Sequence, residues 1–265
     1  MFSLIETLIQ AIIQGITEWL PISSSGHLVI VQQYLLHEQP PLIFDIALHI
    51  GTLFVIVAVF WKEIIGVLRV LIRLNFETEE GKLALFIVVG SIPTAFIGYV
   101  FRDILESLFH SVLIVGVALV VNGSFLFISE RRADGRELTY LDSLLIGIAQ
   151  GVAIIPGISR SGATIATGLL RKVEKRATFS FSFLLSVPAI VGAAISESAR
   201  FCASNEVVIG SVDMAVLLFG VVVSMIVGYV SLKSLQKLVM RGSFHIFAYY
   251  CWLAGAAIIL GHFLL

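Results

Sequence analysis

Charge is what this 265-residue chain most lacks. Asp, Glu, Lys and Arg make up only 13% of it, against 58% hydrophobic residues. A water-soluble domain carries roughly 25% charged residues. Half that share leaves too little polar surface to clothe a soluble globule, so the apolar remainder has to face lipid. A mean hydropathy of +1.01 agrees. Cysteine is scarce as well: Cys202 and Cys251 are too few for a disulfide framework, and no CxxC or Cys/His cluster points to zinc. Burial is the expected fate of both. A net charge of −1 points to neither nucleic acid nor acidic partners. Finally, Glu6 stands where a cleaved leader would carry its basic residues, so no cleaved signal peptide is expected.

What is present is long apolar sequence. Crossing about 30 Å of hydrocarbon takes about 20 apolar residues. Six stretches qualify, namely residues 44–61, 83–101, 111–129, 177–196, 214–232 and 242–265. Two further apolar regions, 7–36 and 143–170, are interrupted by PISSSGH and PGISRSG, and each leaves two halves too short to span. Non-helical backbone at membrane depth is tolerated only where protein or water covers it. Both regions are therefore expected to form re-entrant helix–loop–helix hairpins, the alternative being a kinked ordinary span. With hairpins, one side of the membrane receives the loops 62–82, 130–142, 171–176 and 233–241. These carry Lys62, Arg69, Arg73, Lys82, Arg131, Arg132, Arg136, Arg171, Lys172, Lys175, Arg176, Lys233, Lys237 and Arg241. The other side has only Arg102 and Arg200, and Arg160 lies inside the second hairpin. The positive-inside rule makes the first side cytoplasmic and puts both termini outside.

The two interrupted regions also match each other. Gln14-Gly15-Ile16 through Ser25-Gly26 aligns without gaps to Gln150-Gly151-Val152 through Ser161-Gly162, at a constant offset of 136 residues. Three spans follow each copy. An odd number inverts the second half, which predicts an inverted-topology repeat of about 1–130 and 137–265 within one membrane domain. Such repeats place sites near the midplane, where broken helices aim their ends at a ligand. Chance similarity of two Ser/Gly turns is the competing reading.

The chemistry concentrates in these two loops. Gln14 and Glu18 are four residues apart, on one helical face. A carboxylate at membrane depth is costly and is a functional candidate by default. Ser23, Ser24 and Ser25 supply hydroxyls, Gly26 allows close backbone approach, and His27 suits acid, base or nucleophile work. The second loop offers Ser159, Ser161, Gly162 and Thr164 around Arg160, whose forked donors match phosphate oxygens at the start of a helix. Together the loops suit phosphoryl transfer, with Glu18 and Gln14 as candidate ligands of a divalent cation bridging a diphosphate. The bland alternative is a buried Glu18–Arg160 ion pair that ties the halves together. His49, His110, His245 and His262 read as packed or interfacial. Tyr99, Tyr229, Tyr249, Tyr250 and Trp252 read as belt or packing residues, and Pro93 and Pro188 as kinks.

At these residues the chain resembles the undecaprenyl-diphosphate phosphatase, or bacitracin-resistance, family over essentially its whole length. The motifs are Gln14-x3-Glu18, Pro21 to His27, and Gly157 to Thr164. The resemblance implies an all-α integral membrane enzyme, here six transmembrane helices with two re-entrant hairpins. It implies hydrolysis of a polyprenyl diphosphate to the monophosphate with Mg²⁺ or Ca²⁺, which recycles the lipid carrier of cell-wall synthesis and confers bacitracin resistance. By position it makes Glu18, Ser24, His27 and Arg160 essential, with Ser23, Ser159, Ser161 and Thr164 as supporting phosphate contacts. Many members have Glu where this chain has Gln14, which weakens metal ligation there. The expected mechanism has Arg160 and the second-loop hydroxyls clamp the diphosphate beside a cation at Glu18. Ser24 attacks and His27 relays protons, or the two exchange roles. The expected partners are the lipid substrate and the bilayer of the cell membrane, with the site toward the outer face; a homodimer is left open. A lipid-phosphate flippase using the same site is the rival function.

Overall fold

The computed structural model describes residues 4–34, 42–129, 135–203 and 214–264. Among them the chain forms α1 (Leu4–Thr17), α2 (Ser24–Tyr34), α3 (Leu42–Val59), α4 (Trp61–Arg73), α5 (Glu79–Val100) and α6 (Arg102–Leu108). There follow α7 (Val112–Ser129), α8 (Tyr140–Val152), α9 (Arg160–Leu170), α10 (Lys175–Ala203), α11 (Met214–Arg241) and α12 (Ile246–Leu264). The described residues contain no named strand, only an isolated bridge between Arg136 and Val173. The expected all-helical class holds.

Five helices, α5, α7, α10, α11 and α12, are long and apolar enough to cross a membrane. Their outer faces carry residues that water would reject. Ile92, Phe96, Leu253 and Phe263 are 63%, 62%, 74% and 73% exposed. The sixth expected span, 44–61, is a shorter apolar helix, because α3 stops at Val59 and Trp61 opens α4. The expected loop 62–82 is corrected. Residues 61–73 are helical because apolar positions recur there at helical spacing, with Val67 and Val70 buried against Ala84 of α5. In the segment that follows α5, Arg102 and Glu106 pair at 2.8 Å along α6. Arg131 and Arg132 lie outside the described residues.

The two interrupted regions are helix–turn–helix pairs, α1/α2 and α8/α9. Their packing corresponds: α1 lies against α11 and α8 against α5, while α7 and α12 lie against each other. Close approach is built into both. A Cβ on Gly15 would come within 2.8 Å of Val227 in α11, and one on Gly151 within 2.6 Å of Ile97 in α5. The main core gathers Trp19, Phe60, Leu119, Ile165, Phe179 and Phe183, with Trp19 meeting Phe183 edge-on at 5.6 Å. Cys251 is a free, buried thiol; the Cys202 side chain lies outside the described residues. At the open end of the second pair, Asp142 of α8 is fully buried and takes Arg136 at 2.6 and 2.7 Å and Arg171 at 2.8 Å. Thr139 completes a capping box with it. This clip ties the start of α8 to the end of α9.

Candidate functional site

Each turn is organised by a serine at the start of its second helix. Ser159 caps α9, its Oγ accepting from Gly162 N at 3.2 Å. Ser23 does the same for α2, accepting from Gly26 N at 3.3 Å. The same hydroxyl accepts from Gly157 N of the other turn at 3.0 Å. Ser23 holds a left-handed φ of 70°, a strained conformation of the kind that concentrates at functional sites. Gly157 has φ +99°, and a Cβ there would also strike Val115 O at 2.5 Å, so only glycine fits.

Further bonds lock the turns together. Ser161 Oγ donates to Trp19 O at 2.8 Å. Asn122 of α7 donates to Pro21 O at 2.9 Å and accepts from Ser159 N at 3.2 Å. Gly157 N, Trp19 O, Pro21 O and Ser159 N thus find partners in the opposite turn or in α7, as buried backbone requires.

Glu18 follows α1 directly and is 7% exposed. Its Oε1 is paired with Arg160 Nη2. Its Oε2 accepts from Ser24 Oγ at 2.7 Å and from Gln14 Nε2 at 3.1 Å. His49 Nε2 of α3 stands 3.7 Å from the same oxygen. The Arg160 guanidinium lies 5.8 Å from the Trp19 ring centroid. Two buried polar atoms of this cluster, Arg160 Nη1 and Gln14 Oε1, have no partner among the described residues. Leaving such a donor and acceptor unmade costs about 1–3 kcal/mol each. That cost is a reason to expect a ligand there.

The structure therefore brings Glu18, Gln14, Ser24 and Arg160 into direct contact. His27 is placed differently. Its Nδ1 lies 2.7 Å from Ser23 O, a carbonyl that only accepts, so Nδ1 carries the proton. In a neutral ring Nε2 then accepts from the Tyr250 hydroxyl, 2.6 Å away, with the two rings stacked. The remaining hydroxyls engage one another or the backbone. Ser25 pairs with Ser23 at 3.3 Å and Ser159 with Ser161 at 3.1 Å. Thr164 donates to Arg160 O at 2.9 Å inside its own helix. The amides of Gly26 and Gly162 point at Ser23 and Ser159.

The cluster and its turns also touch His49 and Tyr250, which the sequence reads as packed, interfacial or belt residues, and Trp19 and Asn122, which it does not single out. For His49 and Asn122 the available signal is a polar side chain within an otherwise apolar span. Trp19 and Tyr250 give none, since packing explains an aromatic equally well.

No group of three His, Cys, Asp or Glu gathers to hold a metal among the described residues. A magnesium-type ion needs less, since it keeps waters and binds through one or two carboxylates and substrate phosphates. Glu18 with the unpartnered Gln14 carbonyl fits that sparse pattern.

Residues 7–257 match the family model described as Bacitracin resistance protein BacA. Relatives named undecaprenyl-diphosphatase align over nearly their full length. That of Desulforapulum autotrophicum is 41% identical, over 98% of this chain and 99% of its own. Those of Carboxydothermus hydrogenoformans and Methanosphaera stadtmanae are each 38% identical, over 96% of this chain and 95% and 96% of theirs.

Proposed function

Because the chain belongs to the bacitracin resistance protein BacA family, we propose that it hydrolyses undecaprenyl diphosphate to the monophosphate and inorganic phosphate, recycling the lipid carrier of cell-wall synthesis. It is a multi-pass membrane protein. The observation that carries the reading for its own residues is the Ser24–Glu18–Arg160 contact with an unpaired guanidinium nitrogen beside it.

The reaction follows from that contact. Ser24 Oγ, already donating to Glu18, attacks the terminal phosphorus while Glu18 takes its proton. The bond from that phosphorus to the bridging oxygen breaks, and the prenyl monophosphate departs with the proton that Glu18 returns to that oxygen. Water then cleaves the phosphoserine, with Glu18 again handling the proton. Arg160 uses its free nitrogen on a phosphate oxygen, the charge-assisted contact that a guanidinium makes best. Exchange of roles, with His27 as nucleophile, needs the ring to leave Ser23 and Tyr250; the existing Ser24–Glu18 bond favours serine. Glu18 and Gln14 would hold Mg²⁺ or Ca²⁺, which when bound neutralises diphosphate charge. The other loop hydroxyls, Ser23, Ser25, Ser159, Ser161 and Thr164, shape the two turns around the phosphates.

The same proposal has α1/α2 and α8/α9 as re-entrant hairpins among six spans, α3 being the sixth. The repeats cover about 1–130 and 137–265, with both termini outside and the site reached from the outer face of the cell membrane. The constant 136-residue offset and the corresponding packing of α1 on α11 and α8 on α5 support it.

Phosphate release from undecaprenyl diphosphate by purified protein in detergent is the test. We expect release by the native chain, none from Ser24→Ala, and loss of activity on chelation. A cost of at least about two orders of magnitude is expected for Glu18→Gln, in line with a lost transition-state group. Release unaffected by Ser24→Ala would remove the serine from the mechanism. Absence of release by the native chain, with transport of the lipid between leaflets of a vesicle, would favour the flippase.

A further inference from the structure

Beside the first turn lies a cavity of about 480 Å³, within the ~300–1,000 Å³ typical of small-molecule sites. Ile13, Ile16 and Leu20 form one wall, Phe247 and Tyr250 of α12 the other, and His27 stands among them. None of Glu18, Ser24 or Arg160 lines it. Its few polar groups are already satisfied. Thr17 turns its hydroxyl onto Ile13 O at 2.7 Å, and the His27 ring is held between Ser23 O and Tyr250. The walls therefore present carbon to whatever enters, and an apolar ligand is the chemistry they fit.

Its place in the chain identifies which apolar ligand. The lining residues Thr17, Leu20, Ile22 and His27 interleave with Glu18, Ser23 and Ser24 along one short turn. A molecule with a diphosphate at the Glu18–Ser24–Arg160 cluster and an apolar chain attached directly to it meets both environments within that turn. We propose that this groove between α1 and α12 seats the isoprene units next to the diphosphate, an assignment that rests on the function proposed above. Tyr250 stands at its polar end, its hydroxyl on His27 Nε2.

The test uses the full chain in lipid nanodiscs and a farnesyl diphosphate analogue bearing a diazirine in its first isoprene unit. Cross-links are expected on residues 13–20 and 246–250, abolished by excess undecaprenyl diphosphate and retained in excess phospholipid. Labelling only elsewhere, or labelling that phospholipid removes equally well, overturns the seat. A second arm fills the groove. Ile246→Trp should raise KM for the prenyl diphosphate about tenfold with little change in kcat, the pattern of lost uniform binding. Inhibition by inorganic diphosphate, which has no chain, should stay at the native level. An unchanged KM, or an equal loss of diphosphate inhibition, overturns the proposal. Absence of phosphate release by the native chain is a separate result, and it sinks the parent reading instead.

Discussion

Arg160 divides its guanidinium, one nitrogen on Glu18 and the other buried without a partner among the described residues. An ammonium cannot serve two such directions at once, so Arg160→Lys should remain badly impaired although the charge is kept. Arg160→Ala should lose at least the ~3 kcal/mol of a missing transition-state donor. If the pair were only structural, Glu18→Gln with Arg160→Ala together would recover activity and melting temperature. Measuring kcat/KM and Tm for both single variants and the double separates the cases, and recovered activity would overturn the phosphate clamp. Glu18 and Arg160 stand out in the bare sequence because charge at membrane depth is so costly. Tyr250 does not, because its partner His27 is 223 residues away and nothing local marks the contact.

At the scale of elements, the α8/α9 pair depends on a buried clip and a bare glycine. Burial alone would raise the Asp142 pKa, but hydrogen bonds from Arg136, Thr139 and Arg171 outweigh it and hold the carboxyl well below its usual range. A carboxyl depressed on folding contributes stability above its unfolded value of ~3.9 and loses it as pH falls below that. Asp142→Asn should therefore melt earlier than the native chain at neutral pH, with the gap closing under acid. A gap that stays constant down to the lowest pH would contradict the clip. Gly147 is the second device: a Cβ there would sit 2.0 Å from Gly90 O of α5. Gly147→Ala should cost roughly 1–3 kcal/mol through overpacking. Gly192→Ala, with open space around it, is the control. Equal melting temperatures would count against this packing. Neither glycine looks different in sequence, since a helix partner is needed to tell a contact from a gap.

For the molecule as a whole, orientation follows from charge. The loops rich in Lys and Arg should be cytoplasmic, including the segment before α5, where Thr78 caps the helix. A single cysteine at position 78, in a background lacking Cys202 and Cys251, should react with an impermeant reagent only after permeabilisation. Labelling from outside intact cells would reverse the topology. The 136-residue offset is visible in one dimension because both turns need the same glycines and serines to cap the same kind of helix start. The cross-turn bonds, Ser23 to Gly157 N and Ser161 to Trp19 O, are what the tertiary structure adds to it.

By itself the sequence determined the helical, membrane-crossing character, the two broken regions and the polar groups within them. Those depend on composition and short-range spacing, which are local properties of the chain. It also misassigned one segment, because the short amphipathic run of α4 carries enough charge to read as a loop. Only the tertiary structure decided how the polar groups are shared. Ser24 donates to Glu18 and His27 turns to Tyr250, with His49 arriving from α3. Those choices depend on which helices lie side by side, and a hydrogen bond reaches only about 3 Å. Spacing along the chain cannot carry that information between His27 and Tyr250, 223 positions apart.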